Sequence, residues 1–399
     1  MTTLRIAIAG AGIGGLAAAA LLARDGHRVT LYDQFEKPAP VGSGLILQET
    51  GLTVLNELGL REEAEHLAAP IRRLHGISAG SGRTVLDVRY AAMRDRLCGR
   101  AVLRPVLFDL VYRAAAEAGA EIVPGTRITA ANAVAGQLVT GTGASLGPFD
   151  LVINALGVYS PLSSTGRNML DYGALWATLD WPSGTSFCKE ALEQRYYRAS
   201  RMAGVMPSGR MTGSDRQTLT YFWSIRRDAV EAWRAAPLTH WKDAAVGLWP
   251  ETRPLLEQIR SHDQLTFARY DHRTRWPAVE GRLVHLGDSW HAASPQLGQG
   301  ANMALLDAYA LARAMRGERS LPDRLNHYVR MRAMHVRLFQ AMSWMFTPVY
   351  QSDSVSLAWL RDWLAAPVSR VPPAPYVLAA MVSGAIGSPL KRLGLKPGA

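Results

Sequence analysis

The first 33 residues hold the feature that most limits what this chain can fold into. Residues 4–33, LRIAIAGAGIGGLAAAALLARDGHRVTLYD, read as an apolar strand over Leu4 to Ala9, a glycine turn, an Ala/Leu helix ending near Gly26, and a second strand closing on Asp33. Gly10, Gly12 and Gly15 fill a G-x-G-x-x-G frame, with Ile13 and Gly14 between them. The first glycine permits a tight turn, the second lets backbone approach a pyrophosphate, and the third allows close packing of helix on strand. Phosphates placed there meet the free N–H groups of a helix N-terminus. Asp33 falls where a carboxylate accepts hydrogen bonds from ribose hydroxyls. A glycine turn alone also occurs in ordinary α/β units, but strand, motif, helix, strand and terminal acid in one run point to a dinucleotide.

A second region of the same type lies far along the chain. GRLVHLGDSWHAASPQLGQGANMALLDAYALARAM, from Gly281, reads as a strand ending at Asp288, a loop with Pro295, and a helix entered through Gly298-Gln299-Gly300. Such a helix N-terminus stabilises negative charge, and a reduced flavin is an anion at its pyrimidine end.

The pattern GD-S-W-H-(x)3-P-(x)2-GQGAN-M-A-(x)2-DA resembles the second flavin motif of the class A flavoprotein monooxygenases, the p-hydroxybenzoate hydroxylase-like proteins. The likeness extends to GAGIGG, to VGSGLILQETGLTVLNELGL with Gly44, and to RPVLFDLVYRAAAEAG, which opens with Arg104. It implies FAD, with Asp288 holding the ribityl chain, Gly298, Gly300, Ala301 and Asn302 facing the flavin ring, and Arg104 reaching the cofactor from its helix. It also implies oxygen transfer from O2, through a flavin C4a-hydroperoxide, to an aromatic or other apolar molecule, with NADPH or NADH as reductant. His291 is then a candidate proton relay or substrate contact, and Pro295 shapes the loop over the flavin. A loop histidine bonded to backbone is an equally ordinary reading of His291.

One family element is altered. In the family a strand ends in ADG, followed closely by Arg and Ser, and the Asp-Gly pair is linked to both FAD and the nicotinamide. Aligned on GPFDLV, Gly157 and Ser160, that element falls on NALGVYS, where Leu156 replaces the Asp and Tyr159 the Arg. The change bears on the NAD(P)H step more than on the fold. It leaves open an FAD-dependent oxidase or dehydrogenase that takes electrons from its substrate, and a flavin-binding partner protein without turnover.

The expected architecture is α/β. A Rossmann-like FAD-binding fold (1–75, 99–174 and 276–320) is interleaved with a mostly antiparallel substrate sheet (76–98 and 175–275), and a helical region follows (321–399). On the substrate side, Tyr197, Met206, Pro207, Met211, Phe222 and Trp223 are aromatic or apolar candidates. Met331, Met334, Leu338, Met342 and Met345 recur at helical spacing. The apolar run from Tyr376 to Ile386, followed by Lys391 and Arg392, is too short to span a bilayer but suits a membrane surface or a cover for a lipophilic substrate.

Composition narrows the rest. At 399 residues and 48% hydrophobic, the chain can bury a large core. Cys98 and Cys188 have no metal-type spacing, and with MTTLRIAIAG lacking a signal-peptide pattern they lead us to expect a cytoplasmic protein without metal. A net charge of +11 is dispersed, mostly on Arg, with no basic and aromatic interleaving of the kind that binds nucleic acid.

Overall fold

Ile6 to Ala9 are apolar on both strand faces and fully buried, as a parallel strand covered by helices on both sides must be. In the computed structural model, which describes residues 2–36, 44–163 and 168–398, strand Arg5–Ala9 lies inside a six-stranded sheet. Val41, Gly42 and Ser43 of the VGSG segment fall outside the described residues. The sheet order is Val279–Glu280, Leu283–His285, Leu151–Asn154, Arg5–Ala9, Arg28–Tyr32, Glu121–Val123. All neighbours are parallel except Val279–Glu280 with Leu283–His285. Ala9 pairs in register with both Tyr32 and Asn154, so Gly10, Asp33 and Ala155 share one carboxyl edge. The chain passes from Arg5–Ala9 to Arg28–Tyr32 on one side and later returns on the other. The crevice outside that switch point is where open α/β sheets bind ligands.

Helix Ile13–Arg24 is buried from Gly14 to Leu22, and its run of alanines lets helices Arg104–Glu117 and Gly300–Met315 pack closely on it. A small sheet of Gly44–Leu47, Gly99–Leu103 and Ala69–Ile71 leads to a larger one. That sheet has seven strands in the order Thr266–Ala268, Tyr172–Asp180, Thr218–Arg226, Arg201–Gly209, Ala191–Tyr197, Arg73–Ser78, Thr84–Arg89. Only the pair Ala191–Tyr197 with Arg73–Ser78 is parallel. Side chains alternate between its faces. Tyr221 and Trp223 go with Trp233, Trp241 and Trp249 on one face, while Met202, Met206 and Phe222 go with Leu74 and Tyr196 on the other.

Helix Leu321–Tyr350 starts at Ser320, whose hydroxyl accepts from the Asp323 N–H at 3.4 Å. Helices Val355–Arg370, Ala374–Val382 and Pro389–Arg392 follow. Of the methionine stripe, Met331 is buried, whereas Met334 and Met345 stand about half exposed. Of the run from Tyr376, only Tyr376 and Val377 are open, because Ala379 to Val382 pack inward. The larger open apolar surface is on helix Val355–Arg370, at Trp359, Leu360, Trp363 and Leu364. No helix among the described residues is long and apolar enough to cross a membrane.

Two buried histidines set an acid limit. His285 accepts no solvent and is pushed down to about 3, by burial first and then by Arg275 and Arg273. Burial, then Arg332, holds His335 well below the usual imidazole range. Both must stay neutral to remain folded, and the unfolded chain takes up their protons below about pH 6.5. Stability is therefore full above pH 6.5 and falls as the pH drops toward the folded values, by up to about 1.4 kcal/mol per pH unit for each histidine. Urea denaturation of the apoprotein at pH 7.5, 6.5 and 5.5 checks this; equal midpoints at all three would contradict it.

Candidate active site

The glycine turn is shaped by contacts rather than by flexibility. Gly10 has φ +106°, and a Cβ there would come within 2.5 Å of the Ala155 carbonyl oxygen. At Gly15 a Cβ would meet the Gly10 oxygen at 2.1 Å, and at Gly14 the Leu286 side chain at 2.6 Å. Gly12 differs: its φ is −75° and a Cβ would meet nothing within 4 Å. It precedes helix Ile13–Arg24, whose first N–H groups have no side-chain cap. The Asp33 carboxylate accepts from the Ala11 N–H at 2.7 Å and the Phe35 N–H at 3.0 Å, which fixes it beside the turn. Open backbone N–H groups at a helix end beside a placed carboxylate suit a diphosphate and a ribose.

A cavity of about 690 Å³ opens between the two large sheets and the C-terminal helices, within the range of small-molecule sites. Gly44, Arg104, Asp288, Pro295, Gly298, Gly300 and Ala301 all line it, together with His291. Gly298 has φ +62°, a left-handed conformation that suits glycine, and turns the chain into helix Gly300–Met315, whose N-terminus has no side-chain cap. Asp288 is enclosed by protein yet open to the cavity. Burial raises its pKa, His291 and Arg104 oppose that, and Asp307 adds to it.

Behind this wall lies a buried charge network. His291 Nε2 is 2.6 Å from Asp307 Oδ2, which also accepts from the Gly287 N–H at 2.9 Å. Asp307 Oδ1 accepts from Arg332 Nε at 2.6 Å, and Arg332 Nη1 is 2.8 Å from His335 Nδ1. Asp307 and Arg332 are fully buried. Burial alone would raise Asp307, but His291, Arg332 and their hydrogen bonds bring it down to about 2. A carboxylate thus fixes the loop before Asp288 and orients the imidazole that faces the cavity. Neither Asp307 nor Arg332 was among the sequence candidates. Asp307 was legible as the acid that closes the GQGAN motif, whereas Arg332 had no sequence signal.

Not all sequence candidates meet here. Met206 and Phe222 line the cavity, but Pro207 and Trp223 do not: each is the next residue along its strand and points to the other face. Trp223 instead packs edge-on to Trp241, with ring centroids 6.4 Å apart. Met211 lies beyond the strand and is exposed, and Tyr197 points outward while Tyr196 lines the cavity. Trp176, which had no motif, stacks on Phe222 at 4.7 Å. Asn302 is fully buried and turned away. Its Oδ1 accepts from the Gln48 N–H at 2.8 Å and its Nδ2 donates to the Ile46 carbonyl at 3.0 Å, so it braces the helix start against strand Gly44–Leu47. Polar atoms of Gln48, Ser294, Gln340 and Ser343 are buried without a partner, and all four residues line the cavity. The residues therefore fit a bound polar ring system. Among the described residues no cluster of His, Cys, Asp or Glu could hold a metal.

Leu156 stands at the switch point itself. Its N–H donates to Asn154 Oδ1 at 3.2 Å, and its side chain packs with the Tyr32, Phe149 and Leu162 cluster rather than lining the cavity. The next residues, Val158 and Tyr159, do line it.

Comparison with known proteins agrees with this geometry. Residues 3–342 match the family described as FAD binding domain. A probable 2-heptyl-3-hydroxy-4(1H)-quinolone synthase of Rhodococcus erythropolis is 26% identical over 421 residues, spanning 100% of this chain and 98% of that protein. An FAD-dependent urate hydroxylase of Klebsiella pneumoniae is 26% identical over 348 residues, 83% of this chain and 86% of that one. The structure of 2-methyl-3-hydroxypyridine-5-carboxylic acid oxygenase in its tetrameric form superposes with a TM-score of 0.77 at 20% identity, over 98% of both chains. That of Pseudomonas aeruginosa PqsL in complex with 2-aminobenzoylacetate gives 0.76 at 21%, over 90% of this chain and 100% of that one. The two structures share the fold, and the family match spans most of the sequence. The chain belongs to the FAD binding domain family of class A flavoprotein monooxygenases and is an FAD-dependent oxidoreductase.

Proposed function

We propose that this protein hydroxylates an aromatic small molecule with O2, using NADPH or NADH as reductant, in the cavity between the sheets. The observation that carries this is the unlikeness of the cavity's two sides. One side has a helix N-terminus, Arg104 and Asp288, while the other is an apolar wall with Trp176 stacked on Phe222. Bound FAD supplies the redox and oxygen-activating chemistry, and the chain supplies position, charge and dryness.

In this reading Gly10, Gly12, Ile13, Gly14 and Gly15 receive the pyrophosphate and Asp33 the ribose. Asp288 and Arg104 hold the ribityl side, and Gly298, Gly300 and Ala301 offer N–H groups to the electron-rich edge of the ring. Pro295 sets the loop, and Asn302 acts by bracing it. His291, held by Asp307, moves or holds a proton at Nδ1 on the cavity side. The interleaved division into an FAD-binding part, a substrate sheet and a helical region follows the same reading. It is supported by the strand order, although the larger sheet already takes in residues 73–75 and 172–174.

The test uses purified holoprotein under anaerobic, then aerobic, conditions. NADPH or NADH is expected to bleach the flavin faster with an aromatic effector present, and oxygen uptake is expected to yield a hydroxylated product. If neither nucleotide bleaches the flavin with any aromatic compound, the reductant assignment fails; if oxygen uptake yields only hydrogen peroxide, the hydroxylase assignment fails. Leu156→Asp bears on the same step. The side chain lies at the switch point but outside the cavity lining, so FAD content should stay unchanged while reduction by NAD(P)H accelerates. Identical reduction rates in stopped-flow absorbance would show that the position carries no role in that step.

A further inference from the structure

Taking the cavity as the flavin and substrate site, the cavity has more room than an aromatic ring needs, and the surplus runs in one direction. Each of the seven strands of the large sheet contributes at least one lining residue. Strand Gly44–Leu47, at the flavin side, meets the sheet beside strand Arg201–Gly209, where Gly44 N donates to Thr220 Oγ1 at 3.0 Å and a Cβ on Gly44 would touch Ser208. From Arg201–Gly209 the lining continues across Ala191–Tyr197 and Arg73–Ser78 to the edge strand Thr84–Arg89. Those are three inter-strand steps, about 14 Å at the usual strand spacing.

The side chains along this arm are of one kind. Leu74, Leu86, Val88, Leu192 and Met202 come from the sheet, and Leu378, Met381 and Val382 close it from helix Ala374–Val382. Two polar side chains within it are engaged by the protein. Tyr350 OH donates to the Val85 carbonyl at 3.0 Å, and Gln194 Nε2 donates to Met202 Sδ at 3.1 Å. The charged lining residues lie elsewhere: Arg104 and Asp288 at the flavin side, Arg269 and Asp271 beyond the opposite edge strand Thr266–Ala268. Of the lining residues with an unpartnered polar atom, Ser294, Gln340 and Ser343 belong to the loop and the long helix outside the arm, while Gln48 and Gln299 stand at its flavin-side mouth, where Gln48 Nε2 donates to Tyr90 OH and Gln299 Nε2 to the Val382 carbonyl.

An uncharged, leucine- and methionine-lined arm stabilises an apolar guest and penalises a charged one, and methionine adapts to its shape. We infer that the substrate is an aromatic head bearing an extended apolar tail, with the head between the flavin side and Trp176/Phe222 and the tail in the arm toward Leu86 and Val88. The tail fixes which edge of the ring faces the reacting centre, so it governs position of hydroxylation as well as affinity.

The experiment measures Kd of the FAD-loaded protein for para-alkylphenols from 4-methylphenol to 4-nonylphenol, by perturbation of the flavin absorbance. Affinity should rise about fourfold per added methylene and level off once the arm is filled. The same chain ended in a carboxylate should bind at least tenfold more weakly than its uncharged counterpart. Leu86→Arg, at a half-buried edge-strand position, should abolish the gain for long chains while FAD content and the Kd for 4-methylphenol stay as in the unsubstituted protein. A Kd independent of chain length, with short phenols still bound, would overturn the arm and leave the hydroxylase reading intact. Failure of every phenol to perturb a bound flavin would overturn the placement of the aromatic head, and the arm with it. The carboxylate-ended ligand needs no variant, so the arm stays testable if Leu86→Arg does not fold.

Discussion

Gly12→Glu should yield a protein that folds and purifies without colour. Gly12 has an ordinary φ of −75°, and a side chain there meets no protein atom within 4 Å. An acidic residue just before a helix is favourable for the apoprotein, since it faces the positive end of the helix dipole. The same carboxylate would occupy the space open to a pyrophosphate and repel it. FAD affinity should fall by at least about 100-fold, from loss of the helix-end contacts and from like-charge repulsion. The readouts are flavin absorbance of the purified protein and the thermal midpoint of the apoprotein, which should stay close to that of the unsubstituted apoprotein. Gly10→Ala is the contrast, because φ +106° and the Ala155 oxygen at 2.5 Å make it a structural lesion of about 1–3 kcal/mol. Colour retained in Gly12→Glu would mean that the phosphates do not lie over this turn.

The second large effect concerns Asp307. Asp307→Ala leaves the Arg332 guanidinium, fully buried, without its carboxylate and frees the Gly287 N–H and His291. Removing one partner of a buried ion pair costs about 3–5 kcal/mol. Much of that loss is the uncompensated charge, so pairing Asp307→Leu with Arg332→Met should recover most of the stability. FAD affinity should not recover with it, because the loop before Asp288 and the His291 ring remain unanchored. Equal recovery of both would reduce the network to a packing device. Its acid behaviour follows from the depressed pKa. Stability from ionised Asp307 is complete above the ordinary carboxylate value of 3.8 and is lost as the pH falls toward about 2. This loss sets in only at the acid end of the window opened at pH 6.5 by the two buried histidines.

Several features were readable because they are local. The strand, glycine turn, helix and acid of residues 4–33 depend on spacing within one unit, and the structure builds them within a residue or two of the expected ends. Helix Gly300–Met315 starts where expected, but its strand, expected to end at Asp288, stops at His285, and Asp288 opens a short helix, Asp288–His291. Asn302 shows where local reading stops. It belongs to the GQGAN run that faces the cavity, yet each residue of a helix turns by about 100°, and its amide is used to hold the strand Gly44–Leu47. The polar residues Gln340 and Ser343 sit on an otherwise apolar helical stripe, and nothing near them in sequence says what they would face.

What the sequence by itself determined about this protein is the dinucleotide unit, the second glycine-rich helix entry, and the altered NALGVYS element, since each rests on residue types at short fixed separations. Only the tertiary structure decided which face of the large sheet meets the cavity. A strand's alternation marks two faces but not their neighbours, and the tryptophan cluster around Trp241 covers one of them, leaving Met206 and Phe222 rather than Trp223 to the site. It also decided the meaning of Leu156. Parallel pairing across residues 6–9 and 151–154 puts that side chain beside the glycine turn and into an apolar cluster, a position set by contacts between segments about 145 residues apart, as the paired numbers Ile6 and Leu151 show.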